Sequence, residues 1–116
     1  MTKDKLAPVH PGEVLLEEFL KPLALSQNQL ALAIGVSPRR VNEIVLGKRR
    51  VTAETALRFA RYFDTTPQFW LGLQADYDLD VASDDLGERL DREVRARVVT
   101  PTRSASLTTT GQGGSS

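Results

Sequence analysis

The chain has 116 residues, fifteen Lys plus Arg balanced by fifteen Asp plus Glu, a single histidine and no cysteine. That length accommodates one domain with tails, and a helical domain of roughly 60–90 residues still buries a small core. Without cysteine there is neither a disulfide framework nor a thiolate metal site, which is compatible with a reducing cytoplasm. No apolar run approaches the roughly 18 residues that cross a bilayer. Met1-Thr2-Lys3-Asp4-Lys5 leads into Pro8 instead of an apolar signal core, so the chain reads as cytoplasmic, with no membrane partner.

Net charge says nothing about partners, but its distribution does. Arg39, Arg40, Lys48, Arg49 and Arg50 crowd one segment against the single Glu43. Asp76, Asp78, Asp80, Asp84, Asp85, Glu88, Asp91 and Glu93 crowd another against Arg89 and Arg92. A local basic face on an otherwise acidic chain suggests a defined binding surface.

Helix signals follow one another along the chain. Pro11 suits a first helical position, Leu15, Leu16, Phe19 and Leu20 recur at helical spacing, and Pro22 ends the element. Ser26 followed by Gln29 forms a capping box, Leu30, Ala31 and Ile34 make the apolar face, and Gly35 is the stop. Ser37-Pro38 opens a third helix with Val41, Ile44 and Val45 inward and Gly47 at its end. Thr52 opens a fourth, with Ala56, Phe59, Ala60 and Phe63 on one face, and Thr66-Pro67 opens a fifth carrying Phe69, Trp70, Leu73 and Tyr77. A last, weaker helical stretch runs from about Ser83 to Val98 despite Gly87. From Thr100 the chain is Thr, Ser, Gly and Pro with one Leu107, a composition that cannot offset the entropy of ordering.

The segment Gln27 to Leu46 carries the functional signal. Two short helices meet at Gly35-Val36-Ser37, room only for a tight corner. Gly35 permits the left-handed backbone there, and Ala31 is small where the second helix crosses. Leu30, Ile34, Val36, Val41 and Ile44 point inward, leaving Arg39, Arg40, Asn42 and Glu43 outward on a rod sized for a DNA major groove. Arg39 and Arg40 can donate to guanine edges or phosphates, Asn42 can pair with adenine, and Glu43 can accept from cytosine. Ser37 suits a phosphate or a backbone cap, Gln27 a phosphate clamp, and Lys48, Arg49 and Arg50 the sugar-phosphate backbone.

Gln27–Leu46 resembles the helix-turn-helix of phage-repressor-like proteins. The segments His10-Pro11-Gly12-Glu13, Leu25-Ser26-Gln27-Asn28-Gln29-Leu30-Ala31, Val41-Asn42-Glu43-Ile44, Gly47-Lys48-Arg49, Thr52-Ala53-Glu54-Thr55-Ala56-Leu57-Arg58 and Phe69-Trp70-Leu71 resemble the HigA family of antitoxins. The resemblance covers about His10 to Val98. It implies a DNA-binding antidote that pairs with a HigB-type ribonuclease toxin and represses its own operon as a homodimer, and a two-fold dimer in turn predicts a palindromic operator. Some similar proteins act as stand-alone regulators. Family members commonly carry glycine near Asp64 and end earlier.

The expected architecture is therefore all-α: a five-helix phage-repressor-like helix-turn-helix domain with a C-terminal helical extension. Its expected divisions are a flexible arm (1–9), the DNA-binding domain (10–82), a charged helical extension (83–98) and a disordered tail (99–116). Phe69, Trp70, Leu73 and Tyr77 read either as core or as a dimer interface, because so small a domain has little interior for so many rings. The acidic stretch from Asp76 to Glu93 reads as a solvated face or as a docking surface for a basic ribonuclease. His10 and the Glu13/Glu17 pair read as structural or solvated. No phosphate loop, metal-spaced cluster or catalytic constellation is visible, so no enzyme activity and no cofactor are expected.

Overall fold

The computed structural model describes residues 7–98. The expected tail from residue 99 and most of the expected N-terminal arm lie outside those residues. Helix α1, Pro11–Val14, runs directly into a π-helical segment, Leu15–Leu20; then come α2 (Gln27–Ile34), α3 (Pro38–Val45), α4 (Ala53–Phe63), α5 (Pro67–Leu86) and α6 (Arg89–Glu93). The architecture is all-helical, with no strand among the described residues.

Each start signal works as its chemistry requires. The Ser26 hydroxyl accepts from Gln29 N–H at 3.0 Å while the Gln29 side chain accepts from Ser26 N–H at 2.8 Å. Ser37 Oγ accepts from Arg40 N–H at 3.1 Å, with Pro38 at the first helical position. Thr66 Oγ1 accepts from Phe69 N–H at 3.1 Å. Caps of this kind stabilise a helix by about 0.5–2 kcal/mol each. Gly35 stops α2 at φ 75°, as the corner needs. Asp64 takes the left-handed position after α4 (φ 58°, ψ 44°), a backbone that a short polar side chain tolerates better than most.

The first helix departs from the expected regular α-helix. Its second half widens to i→i+5 bonding, with Lys21 N–H donating to Leu16 O at 3.0 Å. The wider turn brings residues five apart nearer to one face than an α-helix would, and Leu15 and Leu20 are both buried. The extension also differs. Ser83 to Leu86 continue α5, Gly87 at φ 50° breaks it, and only Arg89–Glu93 is helical beyond, with Val94 extended.

The chain divides into two compact units, one up to Asp85 and one from Leu86. In the first, Leu15, Leu20, Leu30, Ala31, Ile34, Val41, Ile44, Val51, Ala56, Phe59, Ala60 and Trp70 form the core. Trp70 is fully buried against Phe59 (4.9 Å between ring centroids) and Phe19 (5.0 Å), and its indole N–H donates to Thr65 Oγ1 at 2.8 Å. That placement corrects one alternative for the aromatic group: Trp70 has no surface to offer a second chain. Leu73 packs on the same core, Tyr77 lies half-buried on His10 (4.8 Å), and Phe69 keeps 40 % of its surface exposed. In the second unit α6 is exposed and carries the i,i+4 pairs Arg89–Glu93 and Arg92–Glu88. Among the described residues no helix is long and apolar enough to cross a membrane, and no group of acids and histidine could hold a metal ion.

Candidate nucleic-acid interface

The corner between α2 and α3 is held by uncharged contacts. Leu30, Ala31, Val41 and Ile44 are fully buried and Ile34 nearly so, while Val36 packs half-buried on the same core. These are the inward residues expected from the sequence. With its side chains an α-helix is about 10–12 Å across, a cross-section that the roughly 12 Å wide major groove admits.

Two supports from outside hold the corner, Gly12 against α3 and Arg58 on the end of α2, and neither was legible as such. Gly12 on α1 lies so close to α3 that a Cβ there would sit 1.7 Å from Ile44 O and 3.0 Å from Val45 Cα. The helix containing Gly12 begins at His10, whose Nδ1 accepts from Gly12 N–H at 2.9 Å. On the other side, Arg58 of α4 donates to Ile34 O at 2.7 Å and pairs with Glu54 at 3.0 Å, with Arg40 Nη1 3.9 Å from the same carboxylate.

The outward residues share one surface. Asn42 Nδ2 donates to Gln27 Oε1 at 3.1 Å, so the start of α2 and the middle of α3 are stitched together. Arg39 has 86 % of its side chain in solvent, whereas Arg40 keeps 30 %. Glu43 accepts from Arg39 Nε at 3.1 Å and from Arg49 Nε and Nη2 at 2.9 and 2.8 Å. Those bonds, Arg49's foremost, hold the Glu43 carboxyl below the usual carboxylate range. The Ser37 hydroxyl serves as the cap of α3. Among the described residues Lys48 has no carboxylate at ion-pair distance.

The loop after α3 is anchored from α5. Arg50 grips Asp78 with two donors, at 2.8 and 3.5 Å. Asp78 also accepts from Gln74 Nε2 at 3.0 Å, and Gln74, itself buried, accepts from Val51 N–H at 2.7 Å. Arg50 and Gln74 lower the Asp78 carboxyl in turn. Sequence reading missed Gln74 and placed Asp78 only within the acidic stretch; the available signal was a glutamine one turn after Trp70, on a face that otherwise turns inward. His10 stands beside this network, and burial pushes its ring below the ordinary histidine value, with Asp78 opposing and Arg50 reinforcing the shift. The sequence group Phe69, Trp70, Leu73 and Tyr77 does not form one exposed patch. Besides Phe69, the exposed apolar positions of α5 include Leu71, Ala75 and Leu79, one helical turn apart, with open space above Gly72.

Residues 16–70 match the helix-turn-helix family. Virulence-associated protein I of Dichelobacter nodosus is 52% identical over 83 residues, 72% of this chain and 77% of that protein. Antitoxin HigA-1 of Vibrio cholerae is 39% identical over 79 residues, 68% of this chain and 74% of its own. The structure of Pseudomonas aeruginosa antitoxin HigA with the higBA promoter superposes with a TM-score of 0.76 at 42% identity, covering 78% of this chain and 99% of that one. The chain belongs to the HigA antitoxin family. Among HigA-type features, its His10-Pro11-Gly12 segment acquires a physical reason: a cap, a helix start and a gap through which α3 approaches.

Proposed function

We propose that the protein is a sequence-specific, double-stranded DNA-binding repressor, the antitoxin of a HigB/HigA-type module acting on its own operon. Binding, not catalysis, is its activity, and the cytoplasm is its place. The carrying observation is the outer face of α3, polar and basic on a rigid corner, in a fold shared with a HigA solved with its promoter. In this reading α3 enters the major groove. Arg39, Arg40, Asn42 and Glu43 meet base edges or nearby phosphates; Gln27 and Ser37 approach the backbone from the two helix starts; Lys48, Arg49 and Arg50 track it beyond α3.

A homodimer places two such helices about one DNA turn apart and calls for a palindrome. The exposed stripe Leu71, Ala75 and Leu79 supports α5 as the surface that meets the second copy, with Phe69 at its edge. A HigB-type ribonuclease is the proposed protein partner, and the exposed acids Asp76, Asp80 and Asp85 suit a basic surface.

Gel shift against the DNA upstream of the protein's own gene tests the reading. Specific binding to a palindrome at moderate salt is expected, and Arg40→Ala should weaken it by about 1–3 kcal/mol if the contact reads a base. Failure to bind any upstream palindrome at low salt would sink it. A stand-alone regulator remains the second reading, favoured where co-expression with the neighbouring genes yields no toxin complex and no relief of toxicity.

A further inference from the structure

We infer that Glu43 sets operator specificity by exclusion, holding Arg39 and Arg49 off the phosphates of DNA that offers it no base-edge donor. The inference rests on the DNA-binding reading above and names the regulation of that same face.

Both oxygens of Glu43 are occupied by cations from opposite sides, Arg39 from within α3 and Arg49 from the loop beyond. Its main-chain carbonyl accepts from Lys48 N–H at 2.8 Å and Arg49 N–H at 3.2 Å, so the basic loop folds back on this one residue. The side chain is 24 % exposed, the two arginines 86 % and 48 %. Three charged groups thus present a net charge of one where the arginines alone would present two.

A surface selected only for affinity would not carry an acid there, because a carboxylate repels the polyanion it faces. Arginines that leave Glu43 for phosphate strip it of both partners and leave an anion in the groove. The loss is made good only where the groove offers a hydrogen-bond donor, the exocyclic amine of cytosine or adenine. Ion pairs at this exposure are weak enough to exchange, so the switch is accessible on the right sequence and unfavourable on the wrong one.

The test is fluorescence anisotropy with the full chain on two labelled duplexes, the upstream palindrome and a scrambled duplex of equal length, across a salt series. Glu43→Gln should raise affinity for the scrambled duplex about threefold or more and steepen its salt slope by about one to two, as one or two freed cations reach phosphates. The preference for the palindrome should fall about tenfold. Glu17→Gln removes the same charge from an exposed pair with Lys21 on the first helix, and should leave both affinities within about twofold. Unchanged scrambled-duplex binding by Glu43→Gln, or weaker binding to both duplexes with a flatter slope, overturns the inference. Wild-type protein that ignores the palindrome overturns the DNA-binding reading itself, and this inference with it.

Discussion

Gly12→Ala is the sharpest test of how α3 is held. The new Cβ would lie 1.7 Å from Ile44 O and 2.6 Å from Ile44 C, against the 3.4–4 Å of ordinary contact. The obstructing atoms are main chain inside a helix, so no rotamer relieves the clash and α1 must part from α3 by about 2 Å. Overpacking of this kind costs about 1–3 kcal/mol and occasionally more, against a gain of about 0.5–1 kcal/mol for alanine over glycine in a helix. A backbone obstruction belongs at the upper end, so we expect a net loss of about 2–3 kcal/mol. For a domain of this size that lowers Tm by about 10–20 °C. Circular dichroism melts and urea titrations read it directly. Gly72→Ala supplies the comparison, since nothing lies within 4 Å of its added Cβ inside α5, and it should gain about 0.5–1 kcal/mol. A Gly12→Ala protein that melts with the wild type and keeps its operator affinity would refute the close-approach argument.

Gln74→Leu should cost about 1–3 kcal/mol in urea unfolding, because Val51 N–H loses its acceptor in a buried place; an unchanged midpoint counts against the network. His10 has a folded pKa below its ordinary 6.5, so its contribution is complete above pH 6.5 and is lost as pH falls from 6.5 through the lowered value. Melting temperature should therefore drop between pH 7.5 and 5.5, and His10→Asn, which keeps a capping side chain, should flatten that slope. The Glu43 and Asp78 carboxyls are shifted downward, so theirs are contributions lost only on further acidification. Leu79→Asp should shift sedimentation toward the monomer with helical content intact; an unaltered dimer would place the interface elsewhere.

Local chemistry made much of this fold legible. Ser26, Ser37, Thr52 and Thr66 announce helix starts because a hydroxyl one residue ahead of a helix satisfies an otherwise unpaired N–H, wherever the helix ends up. Gly35 announces the corner because few other residues adopt its backbone. What stayed hidden depends on distant partners. Gly12 reads locally as a poor helix former; its reason is Ile44, on another helix. The widened turn at Leu15–Leu20, with both leucines buried, has no signal in the spacing of the apolar residues. Arg50 reads as a free cation until α5 folds back and sets Asp78 against it. Trp70 reads as core or as interface from sequence, since an aromatic helix face does not say what covers it. The family resemblance covered helices and candidate contacts alike, but it was silent on which cations are already paired.

Those pairings divide the interface into two kinds of support. The position of α3 depends on contacts with no easy substitute: backbone against backbone at Gly12, Arg58 on the Ile34 carbonyl, and buried Gln74 on the Val51 amide. Its charges depend on solvent-exposed pairs, Arg39 and Arg49 on Glu43 and Arg50 on Asp78, each of which gives little stability and exchanges readily. Changes at Gly12 or Gln74 should therefore register first in melting and denaturant curves and reach DNA binding only through a displaced helix. Changes at Arg39, Glu43 or Arg49 should leave the melt nearly unaltered and register in the salt slope and in the ratio of operator to random DNA. If the Glu43 inference holds, a rigid scaffold carrying exchangeable charges keeps one face in register while the sequence beneath it decides which pairs open.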